Sequence, residues 1–313
     1  MKLSLVCPCY NEEKNVKEFH KACRAALDGK IESYEIIFVN DGSNDNTWKE
    51  LSDICESSET NIKILNLSRN FGKEASMYAG LQKAEGDYVT LIDADLQQRP
   101  EIALEMVEFL ENNTDFDCVA AYQEQRREGV VLSLFKSMFY RIINRMCDID
   151  FKQGASDFRT FRRNVVDAIL SVPEYHRFSK GIFSWVGFNT YYIPYIPEER
   201  NSGKTTWSFK KLFKYALDGI IAYSTLPLRI SSVVGILMSF IGALYMLIVV
   251  IQKLTFGIAI PGYPTTIVLI LFIGGLQLTS LGIIGEYISR IYIEGKRRPI
   301  YIIKNYETNE NSK

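Results

Sequence analysis

The stretch TLIDADLQQRP (residues 90–100) decides how the chain is read. An apolar run ends in two carboxylates, Asp93 and Asp95, with an amide at Gln97 and a proline at Pro100. Proline is favoured in the first turn of a helix, so PEIALEMVEFLEN (100–112) reads as a helix behind a buried strand. Two like charges at a strand end repel unless a positive charge joins them. Residues two apart in extended chain point to one face, so Asp93 and Asp95 read as a clamp for a cation. Mg2+ or Mn2+ takes oxygen ligands of this kind, completed by substrate phosphates. The competing reading of Asp-Ala-Asp is a turn or cap before Pro100.

The same alternation surrounds this stretch. LSLVCPCY (3–10), YEIIFVND (34–41), IKILNLS (62–68), DYVTLIDA (87–94) and FDCVAAY (116–122) read as strands. EEKNVKEFHKACRAAL (12–27), NDNTWKELSDIC (44–55) and GKEASMYAGLQKA (72–84) read as helices between them. Alternating segments of this kind predict an α/β fold, a mostly parallel sheet with helices on both faces. Near-continuous apolar strands fit a sheet covered on both sides. Ligands of such sheets bind beyond the carboxyl ends of the strands. Polar residues gather there: Tyr10, Asn11 and Glu12; Asn40, Asp41, Gly42 and Ser43; Arg69 and Asn70; Asp93, Asp95 and Gln97. Neither GxxxxGK[ST] nor a GxGxxG after the first strand is present. Diphosphate charge would therefore be neutralised another way, and a divalent cation held by two carboxylates would do it.

The 313 residues carry a net charge of -1, which gives no nucleic-acid footprint. Two stretches, 230–252 and 265–285, hold no charged residue and are joined by GIAIPGYPT (257–265). About 20 apolar residues cross a bilayer core, so both read as transmembrane helices; the alternative is a pair of buried core helices. MKLSLVCPCYNEEK lacks the features of a signal peptide. Lys204, Lys210, Lys211, Lys214 and Arg229 precede the first span, and Arg290, Lys296, Arg297 and Arg298 follow the second. The connection carries only Lys253, so a multi-pass protein of the plasma (inner) membrane with both termini cytoplasmic is expected. SFKKLFKYALDGIIAY (208–223) sets Phe209, Leu212, Phe213, Ala216 and Ile220 against Lys210, Lys211 and Lys214, a basic amphipathic helix for the membrane surface. The expected organisation is a catalytic domain over 1–207, a juxtamembrane helix over 208–227, two transmembrane helices over 228–288, and a cytosolic segment and tail over 289–313. Six scattered cysteines and two histidines supply neither a zinc spacing nor a Ser-His-Asp triad, and the thiols read as buried and reduced.

Together PCYNEEKNV, VNDGSNDNT, SRNFGKEASMYAGLQKAEGDYVTLIDADLQQRPE, DFRTF and RNSGKTTWSFKKLFKYALDGI resemble the family 2, GT-A-fold glycosyltransferases that act on polyprenyl phosphates. Dolichol-phosphate mannose synthases belong there. The bactoprenol glucosyltransferases, with two C-terminal spans, are the nearer resemblance. The resemblance implies an inverting transfer of a sugar, with UDP-glucose the first expectation for the donor, to a polyprenyl phosphate. It implies nucleotide-sugar contacts at Pro8, Tyr10, Glu12, Asp41, Asp93, Arg200, Ser202 and Lys204. It implies a divalent metal on Asp93, Asp95 and Gln97, and lipid-phosphate contacts at Arg126 and Arg127. Arg141 joins these as a further guanidinium suited to phosphate. Asp95 and Asp157 are the expected catalytic carboxylates. Asp157 would orient or deprotonate at the reacting centre; the alternative is a cap or an ion pair with Arg159. Alternatives kept beside this are a GDP-mannose-dependent enzyme, a homo-oligomeric form, and a non-catalytic membrane partner. A processive synthase is set aside because no Arg-Trp dipeptide occurs.

Overall fold

The computed structural model describes residues 2–123, 155–197, 219, 221–256 and 262–309. The chain divides into two units, Met1–Ala216 with Arg298–Lys313, and Leu217–Arg297. The first unit runs β1 (Lys2–Cys9), α1 (Val16–Leu27), β2 (Ser33–Asn40), α2 (Thr47–Ser57), β3 (Asn61–Leu67), α3 (Lys73–Lys83), β4 (Tyr88–Leu91) and α4 (Pro100–Asn112). It continues with β5 (Cys118–Gln123), β6 (Ala155–Arg162), α5 (Arg163–Leu170), α6 (Ser179–Trp185), β7 (Thr190–Tyr195) and β8 (Ile303–Thr308).

One sheet has the order β7-β5-β6-β4-β1-β2-β3-β8. Strands β4, β1, β2 and β3 are parallel, so their carboxyl ends share one edge. Strands β6 and β8 run against their neighbours. Leu3, Leu5, Ile36, Phe38, Ile62 and Ile64 pack with Phe19, Leu27, Leu51 and Met106 into the core under α1, α2 and α4. The helix α3 covers the other face, where Gly80 lets it approach: a Cβ there would stand 2.3 Å from Val6 Cγ1.

Pro8 in a central strand would normally break a ladder. It is tolerated because β4 pairs with β1 only as far as Val6.

One expectation needs correction, and three strands lie beyond those read from the sequence. The strand β4 ends at Leu91 and residues 94–95 turn, so Asp93 and Asp95 do not share a face by extended geometry. Strands β6 and β7 add to the five strands read from the sequence, β6 between β5 and β4 and β7 outside β5. Within the segment 289–313, Ile303–Thr308 closes the sheet edge by pairing antiparallel with β3. Its partner lies more than two hundred residues away, and no local pattern signals it.

The second unit holds α7 (Leu226–Phe256) and α8 (Tyr263–Gly295), of 31 and 33 residues. At 1.5 Å per residue each exceeds the roughly 30 Å of a bilayer core. Their apolar side chains are bare: Phe240 is 69% exposed and Leu271 70%. Neither span is buried in the structure, and both are long and apolar enough to cross a membrane. Most of the 208–227 segment lies outside the described residues.

Candidate active site

The loops after β1 and β2 are locked together by polar contacts. Asn11, left-handed at φ 58°, donates its N–H to Ser43 Oγ at 2.9 Å and accepts the Asn44 N–H at 2.9 Å. Glu12 donates its N–H to Thr47 Oγ1 at 2.8 Å. Ser43 Oγ donates to Asn40 Oδ1, and Asn40 Nδ2 reaches Asn66 Oδ1 at 2.9 Å, which ties in β3. Beside this floor, Tyr10 is 44% exposed at the end of β1, an aromatic face open to a ligand.

The loop after β3, NFGK, is held by Asp41. Its Oδ1 accepts the Phe71 N–H at 2.7 Å and its Oδ2 the Gly72 N–H at 2.9 Å. Burial pushes the Asp41 carboxyl up, and those two N–H groups pull it back in part. The loops touch at Gly42, φ 61°, where a Cβ would stand 2.4 Å from the Arg69 carbonyl carbon. Gly72, φ 96°, turns the chain into α3 and makes Lys73 its first residue.

Lys73 reaches across to two carboxylates. Its Nζ lies 2.7 Å from Asp93 Oδ1 and 3.1 Å from Asp157 Oδ2, with 43% of its side chain exposed. Burial would lower the ammonium pKa, and the two carboxylates raise it well above the ordinary lysine range. Burial likewise pushes Asp157 up, but Lys73, Lys180 and Arg159 outweigh it and hold the carboxyl at about 2. Asp157 is therefore an anion at neutral pH, paired first with Lys73 rather than with Arg159. The Arg159 Nε instead donates to Ser156 O at 3.1 Å.

The DADLQ loop folds back on itself. Leu96 is left-handed at φ 61°, a conformation that disfavours branched side chains. The turn returns Gln98 to Asp93: Gln98 Oε1 accepts the Asp93 N–H at 3.0 Å, and Gln98 Nε2 donates to Asp93 Oδ2 at 3.3 Å. Asp95 Oδ1 accepts the Gln97 N–H at 3.2 Å. Burial raises the Glu12 carboxyl, a hydrogen bond from Asn15 lowers it, and the charges of Asp95, Asp93 and Asp45 raise it again. The edge between β1 and β4 is thus a concentration of negative oxygen.

The structure brings Pro8, Tyr10, Glu12, Asp41, Asp93, Asp95, Gln97 and Asp157 to one sheet edge. Arg126, Arg127, Arg141, Arg200, Ser202 and Lys204 lie outside the described residues. Two residues were missed. Gln98 reads from sequence only as the approach to Pro100, yet it is buried and carries Asp93. Lys73 was legible: a cation at the first position of a helix opposes the helix dipole, so it calls for a local anion. The five described cysteines are buried free thiols, as expected.

The oxygen donors suit a hard divalent cation. Among the described residues no group of three His, Cys, Asp or Glu closes a cage.

Residues 4–170 match the family described as Glycosyl transferase family 2, and residues 226–291 match the GtrB C-terminal hairpin. The bactoprenol glucosyl transferase of Shigella phage SfV is 39% identical, over 97% of this chain and 99% of its own. The putative glycosyltransferase CsbB of Bacillus subtilis is 40% identical over 96% and 91%. Among solved structures, glucosyl-3-phosphoglycerate synthase from Mycobacterium tuberculosis aligns with a TM-score of 0.47 at 18% identity, over 70% of this chain and 77% of that one. With the GT-A-like sheet, the carboxylate-lined edge and the two apolar helices in place, the chain belongs to glycosyl transferase family 2 and carries the GtrB-type hairpin.

Proposed function

We propose that the protein transfers a sugar, glucose from UDP-glucose, to a polyprenyl phosphate such as undecaprenyl phosphate at the cytosolic membrane face. The observation that carries this reading is the full-length match. Relatives named bactoprenol glucosyl transferase align across the catalytic sheet and the hairpin alike. Membrane helices beside a catalytic unit suit an acceptor that stays in the bilayer.

The chemistry follows from the edge described above. The acceptor phosphate oxygen attacks the anomeric carbon, a new C–O bond forms, and the bond to the nucleotide diphosphate breaks with inversion. A phosphate monoester with a second pKa near ~6 is largely ionised at neutral pH, so little general base is needed. Asp157, anionic and tied to Lys73, orients the acceptor side. Tyr10 and Pro8 face the base, and Glu12 and Asp41 stand on the ribose side of the floor. Asp93, Asp95 and Gln97 would hold Mg2+ or Mn2+, which when bound neutralises the leaving diphosphate. Arg200, Ser202 and Lys204 are assigned to the donor phosphates, and Arg126, Arg127 and Arg141 to the lipid phosphate.

The chain leaves the first unit before the hairpin and rejoins the same sheet after it through β8. This connectivity supports one compartment for both flanks of the hairpin, and the lysine and arginine bias favours the cytosol.

Asp95→Asn in membranes should abolish metal-dependent transfer of radiolabelled sugar into extractable lipid. Wild-type turnover in that variant would sink the assignment. Asp157→Asn should lower kcat by on the order of a hundredfold through lost orientation, with donor binding intact.

A further inference from the structure

The register of β4 against β6 creates a conflict. Leu91 lies across from Arg159. Two residues past Leu91 and two before Arg159, Asp93 just beyond the end of β4 and Asp157 in β6 both reach the same ammonium, and two like charges so close repel. The ammonium of Lys73 sits between them, 2.7 Å from one and 3.1 Å from the other. Its placement opposes a local rule, since cations are disfavoured at a helix start. The placement is also built: Asp41 clamps the two preceding N–H groups, and Gly72 supplies the turn. A local rule broken beside a functional site, with the breach supported from outside, marks a residue kept for its position.

We propose that Lys73 is an internal cation latch that occupies Asp93 before substrate arrives and keeps a free divalent ion off the DADLQ loop until a nucleotide diphosphate brings it. The inference rests on Asp93 and Asp95 being the metal-binding carboxylates. The ammonium supplies one positive charge where the ion would supply two, so a bare ion entering beside it meets repulsion. An ion that arrives with a diphosphate brings a compensating anion. Lys73 has three donors, so it can turn one from Asp93 to a phosphate oxygen and keep another on Asp157. Loading of the donor is thereby coupled, through one side chain, to the carboxylate on the acceptor side.

The test is Mn2+ binding to the full-length chain in detergent, read from the electron paramagnetic resonance of free Mn2+, with Mn2+ alone and with UDP added. Wild type should bind Mn2+ weakly alone and much more tightly with UDP. Lys73→Met should bind Mn2+ alone about tenfold tighter or more, as loss of a neighbouring unit charge requires. Its gain from UDP should shrink correspondingly. Lys73→Gln, which keeps a donor for Asp93 and drops the charge, should move the same way; Lys73→Arg should stay weak alone. Unchanged or weaker binding of Mn2+ alone in the charge-removing variants, with UDP still tightening it, overturns the latch and leaves the metal assignment standing. No Mn2+ binding by wild type even with UDP overturns the metal assignment and the latch with it.

Discussion

Asp93 has three ties at once: its N–H and one oxygen to Gln98, and both oxygens within reach of Lys73. A carboxylate held from both sides has little freedom to miss the position it must take. Gln98→Ala removes the neutral tie and leaves the charges in place. We expect a fall in kcat on the order of tenfold to a hundredfold from misplacement alone, with the fold intact by circular dichroism. A wild-type kcat would show that Gln98 only fills space. At this scale the sequence was half legible. Two carboxylates at a strand end can be read as a cation site, and NFGK shows a lysine. That Leu96 turns left-handed and brings Gln98 back cannot be read, because a leucine gives no signal of positive φ.

The pivot among the elements is α3. Asp41 holds its start to β2, and Glu74 in its first turn accepts the N–H and hydroxyl of Ser179 at the start of α6. Burial, and secondly the charge of Asp157, push the Glu74 carboxyl up to about 7 from 4.5. A raised carboxyl binds its proton more tightly in the fold than in the unfolded chain. Stability from this group is therefore greatest below about 4.5 and declines as pH rises through about 7. Glu74→Gln, which still accepts from Ser179, should flatten that decline, seen as a smaller drop in Tm between pH 5 and pH 8 (about three units apart). An unchanged pH dependence would contradict the assignment. Gly42→Ala should cost about 2–5 kcal/mol through both its positive φ and the Arg69 backbone, read by denaturant unfolding. Helix α4 opens at Pro100 as its sequence predicts. Strands β6 and β7 were unreadable in advance, because SDFRTFR and TYYIPY mix charge or proline into short runs whose burial only the neighbouring strands supply.

The chain of the first unit is interrupted by a hairpin of two helices long and apolar enough to cross a membrane. The hairpin was legible because lack of charge over about twenty residues is a one-dimensional signal. The return of the chain to β3 was not, because an edge strand's pairing is decided by a distant partner. A chain stopped after residue 297 would leave the β3 edge unpaired, and we expect a lower Tm and a tendency to aggregate. A cysteine placed by Gly257→Cys, between α7 and α8, should react with a membrane-impermeant maleimide in intact cells. Labelling only after lysis would reverse the orientation. The most direct measurement is mass spectrometry of lipid extracts after the purified chain meets undecaprenyl phosphate, Mg2+ or Mn2+, and a panel of nucleotide sugars. The account predicts a hexosyl-phosphoryl-undecaprenol with UDP-glucose, absent in Asp95→Asn. Donor binding with no glycosylated lipid from any sugar would contradict it.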